Sequence, residues 1–358
     1  MARRLVASVL VLVLAACLLV LALVMRSPHG HGVHPSEPGP DAGEGAAFRT
    51  FEGEAMATTI RATVPAGPSA EASAEAVFDV FRRVDAEMSE WKETSPLSEV
   101  NRQAGGAPVA VPAELLDVVG RGLEIGDVTE GAFDVTWAAL WGLWDFRAAE
   151  PEVPPAGEIA AGAALVDYRK VEVDETAGTL RLPEAGMKIG LGGIAKGYAL
   201  ERAAVVLRER GLTDFLLVSG GQVYAAGRRG DRPWRVGIRD PRGGPGDFFA
   251  QVDLTDASLS TSGDYERYFI EDGVRYHHIL DPATGRPARG LRSATVLAAD
   301  AVLADALSTG IFVLGPERGL ALAERLDGVE AVLVDDEGNA KATPGLQNRL
   351  EILHPPAR

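Results

Sequence analysis

The sequence predicts an α+β fold in which sheets built from hairpins pack against helices. Three observations carry this expectation. Glycine occurs 41 times and proline 22 times among 358 residues, so turns are frequent and a helical bundle is disfavoured. Apolar residues make up 46% of the chain, enough to bury a sizeable core. Strand-turn-strand patterns are interleaved with helical ones, which argues against a regular doubly wound parallel sheet.

The first 26 residues stand apart from the rest. Arg3 and Arg4 precede an apolar run over 5–25 that only Ser8 interrupts. Roughly 20 apolar residues suffice to span a bilayer as a helix, and the preceding arginines favour a cytoplasmic N-terminus. The body is then expected on the periplasmic side of the inner membrane. Leu14-Ala15-Ala16-Cys17 also resembles a bacterial lipobox, whose cysteine is lipidated after cleavage. The spanning helix is the preferred reading, because 18–25 stays apolar after Cys17. Residues 27–47 turn to Pro, Gly, His and Asp without an apolar period, as in a solvated linker, and His29, His31 and His34 belong to it. The folded domain is expected over 48–358.

Within that domain, 57–64 reads as a strand. Residues 70–88 read as an amphipathic helix with Val77, Phe78, Phe81 and Val84 on one face, and 112–129 as a second helix opened by Pro112. Residues 174–178 and Asp272-Gly273 lie between β-rich runs as hairpin turns, the latter of the two-residue type that requires positive φ. A helix over 196–210 follows a glycine cluster. Strands at 215–218, 234–238, 275–280 and 294–298 precede a small-residue helix at 301–311.

Composition removes several function classes. Against 35 Lys and Arg stand 51 Asp and Glu, a net charge of -16 that repels polyanions, so no nucleic-acid partner is expected. The single cysteine, Cys17, rules out a disulfide framework and a cysteine-rich metal site.

Three clusters carry chemistry. GLGGIAKGYALERA, from Gly190, places glycines before a helix, where backbone amides, the helix dipole and Lys196 suit a phosphate; a tight turn beside a solvated lysine explains the pattern equally well. STSGDYERYF from Ser260 and YHHILDPATGRP from Tyr276 flank the Asp272-Gly273 turn. Pairing of these two segments is expected to gather Ser262, Tyr265, Arg267 and His278, while alternation turns one of His277 and His278 to solvent and Asp281 caps the following turn. SATVLAADAVLADALSTGIFVLG, from Ser293, sets Asp305 and Thr309 four residues apart on one helix face. There they present hard oxygens to a magnesium ion or, alternatively, join helix to loop by a side-chain hydrogen bond.

Taken with Met56-Ala57-Thr58, MSEWKETSPLSEVN from Met88 and GAFDVTWAALWGLW from Gly131, these clusters resemble the ApbE family of flavin transferases, FAD:protein FMN transferases. The resemblance runs in order from about Met56 to Gly315. It implies the ApbE-type α+β fold, FAD as substrate, Mg2+ as cofactor, and transfer of FMN to a Thr or Ser hydroxyl of an acceptor flavoprotein subunit, with release of AMP. Carried over residue by residue, it places flavin contacts at Met56, Trp91, Ala132, Phe133, Asp134, Lys196 and His278. It places the magnesium ligands at Gly193, through its carbonyl, Asp305 and Thr309. His278, Lys196 and Asp305 are the expected catalytic residues, with His278 as acceptor of the attacking hydroxyl's proton.

The chain departs from the family pattern at Trp91, where tyrosine is usual, and at Ser219 and Gln222 in the LVSGGQV block, where Asn and Asp are common. It also carries Gly190 in place of an aspartate, so Gly190→Asp is expected to tighten FAD. An FAD hydrolase yielding FMN and AMP would use the same residues; a tethered flavin-binding protein without catalysis would be favoured by loss of Asp305 or Thr309, and both are present.

Overall fold

The structure is a computed structural model that describes residues 47–346 and 349–357. The anchor expected over 1–26, with Cys17, and the linker up to residue 46 lie outside these residues. Among the described residues no helix is long and apolar enough to cross a membrane.

β1 (Phe48–Ala55) and β2 (Thr58–Pro65) form a hairpin closed by Met56 and Ala57, which both have positive φ, 53° and 56°. Two non-glycine residues in the left-handed region cost of order 1–3 kcal/mol each. The Asn-Gly pair that usually marks such a turn is absent, which is why the sequence predicts only the second strand. α1 (Ala70–Met88) keeps the bounds its periodicity predicts, with Val77, Phe78, Phe81 and Val84 all buried. α2 (Pro96–Arg102) is not expected from periodicity; Ser95 caps it by accepting a 2.9 Å bond from the Ser98 N–H, and Pro96 occupies a first-turn position.

β3 (Val109–Ala110), α3 (Ala113–Val128), a 3-10 turn (Val135–Leu140) and α4 (Ala156–Ala163) come next. β4 (Glu172–Asp174) and β5 (Thr179–Arg181) flank the expected turn and precede α5 (Ala195–Glu209). Then follow β6 (Phe215–Ser219), β7 (Gln222–Ala226), β8 (Trp234–Arg239), β9 (Phe248–Leu254) and β10 (Ala257–Gly263). β11 (Tyr268–Glu271) and β12 (Val274–His277) make a hairpin whose turn residues, Asp272 and Gly273, have the expected positive φ of 50° and 77°. β13 (Leu280–Asp281), β14 (Arg286–Pro287), β15 (Leu291–Ala298), α6 (Ala301–Arg325), β16 (Glu330–Asp335), β17 (Ala340–Ala342) and β18 (Leu350–Ile352) complete the described chain. The helix expected to end at 311 runs on to Arg325, with a break at Gly315 (φ 81°) just before Pro316.

Eight strands in the order β1-β2-β6-β7-β10-β15-β16-β17 form an antiparallel sheet. Alternate side chains leave it in opposite directions. Phe215, Leu217, Tyr224, Val296 and Leu333 join a core with α1, α3, α5 and α6. Val218, Val223, Leu259, Leu297 and Val332 join a second core under the three-stranded sheet β18-β9-β8. β7 and β15 are therefore buried along their whole length, and they carry Gln222, Arg292, Ser293 and Thr295 as buried polar residues. A third cluster, with Leu140, Trp144, Ile159, Phe269 and Leu280, holds the β11–β12 hairpin down, and Tyr276 stacks there on Phe269 at 5.2 Å. These contacts fix the position of His278. The whole is the α+β arrangement of antiparallel sheets and packed helices that the sequence predicts.

Candidate active site

The site is organised by the crossing of α5 and α6. A side chain at Gly197 would start 2.3 Å from the Ala301 carbonyl oxygen, so only glycine lets the two helix N-termini approach this closely. That approach brings the Gly197 N–H to Asp305, whose Oδ2 accepts it at 2.9 Å. The carboxylate is buried and complements the positive end of α5. The α5 terminus expected to be open for phosphate thus already faces an anion of the chain itself. Lys196, half-buried, donates to the Gly192 carbonyl at 2.8 Å and keeps its Nζ 3.7 Å from Asp305 Oδ1.

A line of hydroxyls extends from this carboxylate. Ser260 Oγ lies 3.4 Å from both Asp305 Oδ1 and Ser308 Oγ; Ser262 Oγ lies 2.9 Å from Ser308 Oγ and 3.1 Å from Thr309 Oγ1. Ser308 also donates to the Asp305 carbonyl at 2.8 Å. The i, i+4 spacing of Asp305 and Thr309 does place both at one site, and the glycine loop closes it. A side chain on Gly193 would start 3.2 Å from the Phe133 ring and 3.4 Å from Thr309 Oγ1. One carboxylate, hydroxyls and loop carbonyls are hard oxygen donors, which fits magnesium. Among the described residues no group of three or more His, Cys, Asp or Glu could hold a metal by itself. Magnesium commonly completes its shell with substrate phosphates and water, so this donor set suits a metal that arrives with a phosphorylated ligand.

The expected gathering of Ser262, Tyr265, Arg267 and His278 is only partly realised. Arg267 and His278 are neighbours, the His278 N–H donating to the Arg267 carbonyl at 3.1 Å. Ser262 belongs instead to β10, paired with β15 across from Ala294, and faces Thr309. Tyr265 packs against Gly263 with Arg239 over its ring at 4.6 Å. The chain leaves the main sheet at Asp264, clamped by Arg242 through two 2.7 Å bonds, so the hairpin begins only at Tyr268. Neither histidine simply faces solvent, contrary to the alternation argument. His277 is buried, its Nε2–H donating to the Ala288 carbonyl at 2.9 Å while Nδ1 accepts from the Ile279 N–H at 3.3 Å, and burial pushes it down to about 4. His278 is half-buried, and its Nδ1 is enclosed without a partner. Burial, then Arg267, His277 and Lys196, push it down to about 3, so the ring is neutral at physiological pH. Asp281 caps its turn as expected, accepting from the Ala283 N–H at 2.9 Å and the Thr284 hydroxyl at 3.0 Å.

Glu90 is the site residue that motif reasoning missed. It is buried, its carboxyl raised by that burial against the pull of its own and Leu191's N–H groups and of Lys196. Nothing in the sequence separates it from the solvated acids around it. Next to it, Trp91 is 58% exposed and meets Trp141 edge-on at 4.2 Å, giving an open aromatic platform. Met56 is half-buried against the main core in its strained turn. The carboxylate of Asp134 braces the backbone around it. Oδ1 accepts from the Thr136 N–H (2.7 Å) and hydroxyl (2.5 Å), and Oδ2 from the Tyr168 N–H (3.0 Å). These bonds hold the 132–134 segment and with it Phe133 against Gly193.

Gly190 overturns one expectation. A side chain there would start 2.9 Å from Trp137 Cε2, Trp137 Nε1 and Ala138 Cβ, and Trp137 Nε1–H donates to the Gly190 carbonyl at 2.9 Å. The indole fills the space the family's carboxylate would need. Gly190→Asp should therefore lower the melting temperature, at a cost of about 1–3 kcal/mol for overpacking, without tightening FAD. Thermal melts with parallel FAD titrations check this; tighter FAD binding at unchanged stability would overturn it. Gln222, another departure, donates to the Ala301 carbonyl at 2.7 Å beside the α5–α6 crossing.

Known proteins share this constellation's fold and sequence span. The profile of the ApbE family matches residues 56–333, and the FAD:protein FMN transferase of Treponema pallidum is 35% identical over 303 residues, 80% of this chain and 84% of that one. The chain belongs to the ApbE family. Among other family members, the Escherichia coli K12 FAD:protein FMN transferase is 32% identical over 82% of this chain and 86% of its own length. The ApbE protein of Thermotoga maritima superposes with a TM-score of 0.78 at 33% identity, covering 84% of this chain and 98% of that one. The Vibrio cholerae flavin transferase ApbE gives 0.76 at 30% identity, covering 85% and 99%. All the site residues from Met56 to Thr309 lie inside the span that matches the ApbE family.

Proposed function

We propose that this chain is an FAD:protein FMN transferase, dependent on magnesium, that moves FMN from FAD to a Thr or Ser hydroxyl of an acceptor flavoprotein and releases AMP. The observation that carries this reading is the convergence of Asp305, Thr309, Gly193 and Lys196 at the α5–α6 crossing of an ApbE-family chain.

In this reading the acceptor oxygen attacks the phosphorus next to riboflavin, the pyrophosphate P–O bond breaks, and AMP leaves with the bonding pair. Asp305, Thr309 and the Gly193 carbonyl would hold magnesium, which would supply positive charge to stabilise the departing phosphate. Lys196 adds a second cation beside it. Neutral His278 takes the acceptor's proton, and the negative pyrophosphate raises its basicity by opposing the Lys196 and Arg267 charges. Trp91 and Met56 offer surfaces for the flavin ring, and Phe133 supports the loop from below. Incubation with FAD, magnesium and an acceptor subunit should add the mass of FMN to the acceptor. Release of free FMN with the acceptor unmodified would point to hydrolysis instead.

The catalytic body is placed on the periplasmic face, anchored through residues 1–26; Arg3, Arg4 and the apolar run support this. Protease added to spheroplasts should then cleave the body from the inner membrane, and protection alongside a degraded periplasmic control would refute it. Cys17→Ser should leave the protein membrane-bound, whereas palmitate incorporation at Cys17 would make the anchor a lipid.

A further inference from the structure

A polar cavity of about 250 Å³ lies between the β11–β12 hairpin and the start of β15. Alternation along β12 sends Arg275 and His277 into it, while Tyr276 joins the aromatic cluster under the hairpin. Four arginines line the cavity, Arg242, Arg275, Arg289 and Arg292, against two carboxylates, Asp264 and Asp336. Arg242 is satisfied by its two-pronged pair with Asp264. Arg275 is not: it lies 3.7 Å over the Tyr268 ring, its Nε is 3.7 Å from Asp264, and its NH1 is enclosed without a hydrogen-bond partner.

Arg292 is buried, and its bonds run to main-chain carbonyls, of Asp336 at 3.2 and 2.6 Å and of Ala357 at 2.7 Å. Among the described residues it makes no ion pair. Arg289 is exposed at the rim and donates to the Arg275 carbonyl at 2.7 Å. Asp336 is partly engaged as well, accepting from the Gly290 N–H at 3.0 Å. His277 is neutral here, so the cavity holds two positive charges in excess within a chain of net charge -16. Arg275 shares the single Asp264 carboxylate with Arg242, and Arg292 has none among the described residues. Guanidinium groups neutralised so incompletely are costly to enclose, and their planar forks match the oxygens of phosphate and carboxylate.

We propose that this cavity is a binding site for a small oxyanion, a phosphate or carboxylate group, held by Arg275, Arg289 and Arg292. The site is separate from the Asp305–Lys196 centre and does not depend on the transferase reading. The test is calorimetric titration of the full chain with inorganic phosphate and, separately, with malonate, at constant ionic strength. Titrations are repeated in a Lys196→Met background, which removes the cation of the other site. Saturable binding that persists in this background is expected, weakened about tenfold or more by Arg289→Ala and abolished by Arg289→Glu. Preference for phosphate assigns a phosphoryl ligand, and preference for malonate a carboxylate. Arg289 is exposed, so melting curves without anion should be unchanged by either substitution. No saturable binding of either anion, or binding that survives Arg289→Glu, would overturn the proposal.

Discussion

Asp305→Ala should lower FMN transfer by about a hundredfold or more, since it removes the one anionic ligand that would hold magnesium beside the pyrophosphate, and the charge stabilisation such a metal gives is worth several kcal/mol in the transition state. The structure adds a stability cost to this loss. Asp305 also accepts the Gly197 N–H where α5 meets α6, and an unpaired buried donor costs about 1–3 kcal/mol. Asp305→Asn separates the two effects: its amide oxygen can still accept from Gly197, while its charge is gone. The asparagine variant should melt close to wild type yet stay inactive, and extra magnesium should restore little. Thr309→Ala should be milder, because water can replace a neutral hydroxyl ligand. Near-wild-type turnover by Asp305→Asn at limiting magnesium would sink the metal assignment.

His278→Gln should reduce kcat by about a hundredfold or more while leaving the KM for FAD within a few-fold, as expected of a group that moves a proton. The reverse split, a raised KM with kcat retained, would make His278 a flavin contact only. Its pH signature is also specific. The neutral ring is the active form, and in the free enzyme it is lost only as pH falls through about 3, so kcat/KM should show no acid limb near the ordinary histidine value of 6.5. Between 6.5 and about 3 the unfolded chain binds a proton at this position that the folded chain does not, so folding stability falls on acidification through that window. Melting curves of wild type and His278→Gln across that range should diverge accordingly, wild type losing more.

Local signals were enough wherever a feature depends on near neighbours in the chain. The bounds of α1 follow from its apolar face, the Asp272-Gly273 turn from a dipeptide that tolerates positive φ, and the shared site of Asp305 and Thr309 from a spacing of four on a helix. β1 escaped because Met56 and Ala57 turn the chain without glycine, and the end of α6 because Gly315 and Pro316 look like a stop while its second half continues beyond them.

The sequence by itself determined the fold class, the family and the identity of the donor groups, because the periods and the ordered motifs are written in contiguous residues. Only the tertiary structure decided how those groups meet. Ser260 and Ser262 join the Asp305 centre through a strand–helix contact across more than forty residues, and Glu90 meets the Leu191–Gly192 loop from about a hundred residues earlier in the chain. Gly190 is a packing position for Trp137 and not a missing ligand, because the indole comes from a segment 53 residues earlier. Both histidines are neutral because burial and nearby cations set their protonation. Desolvation and charge act through space, and spacing along the chain does not record them.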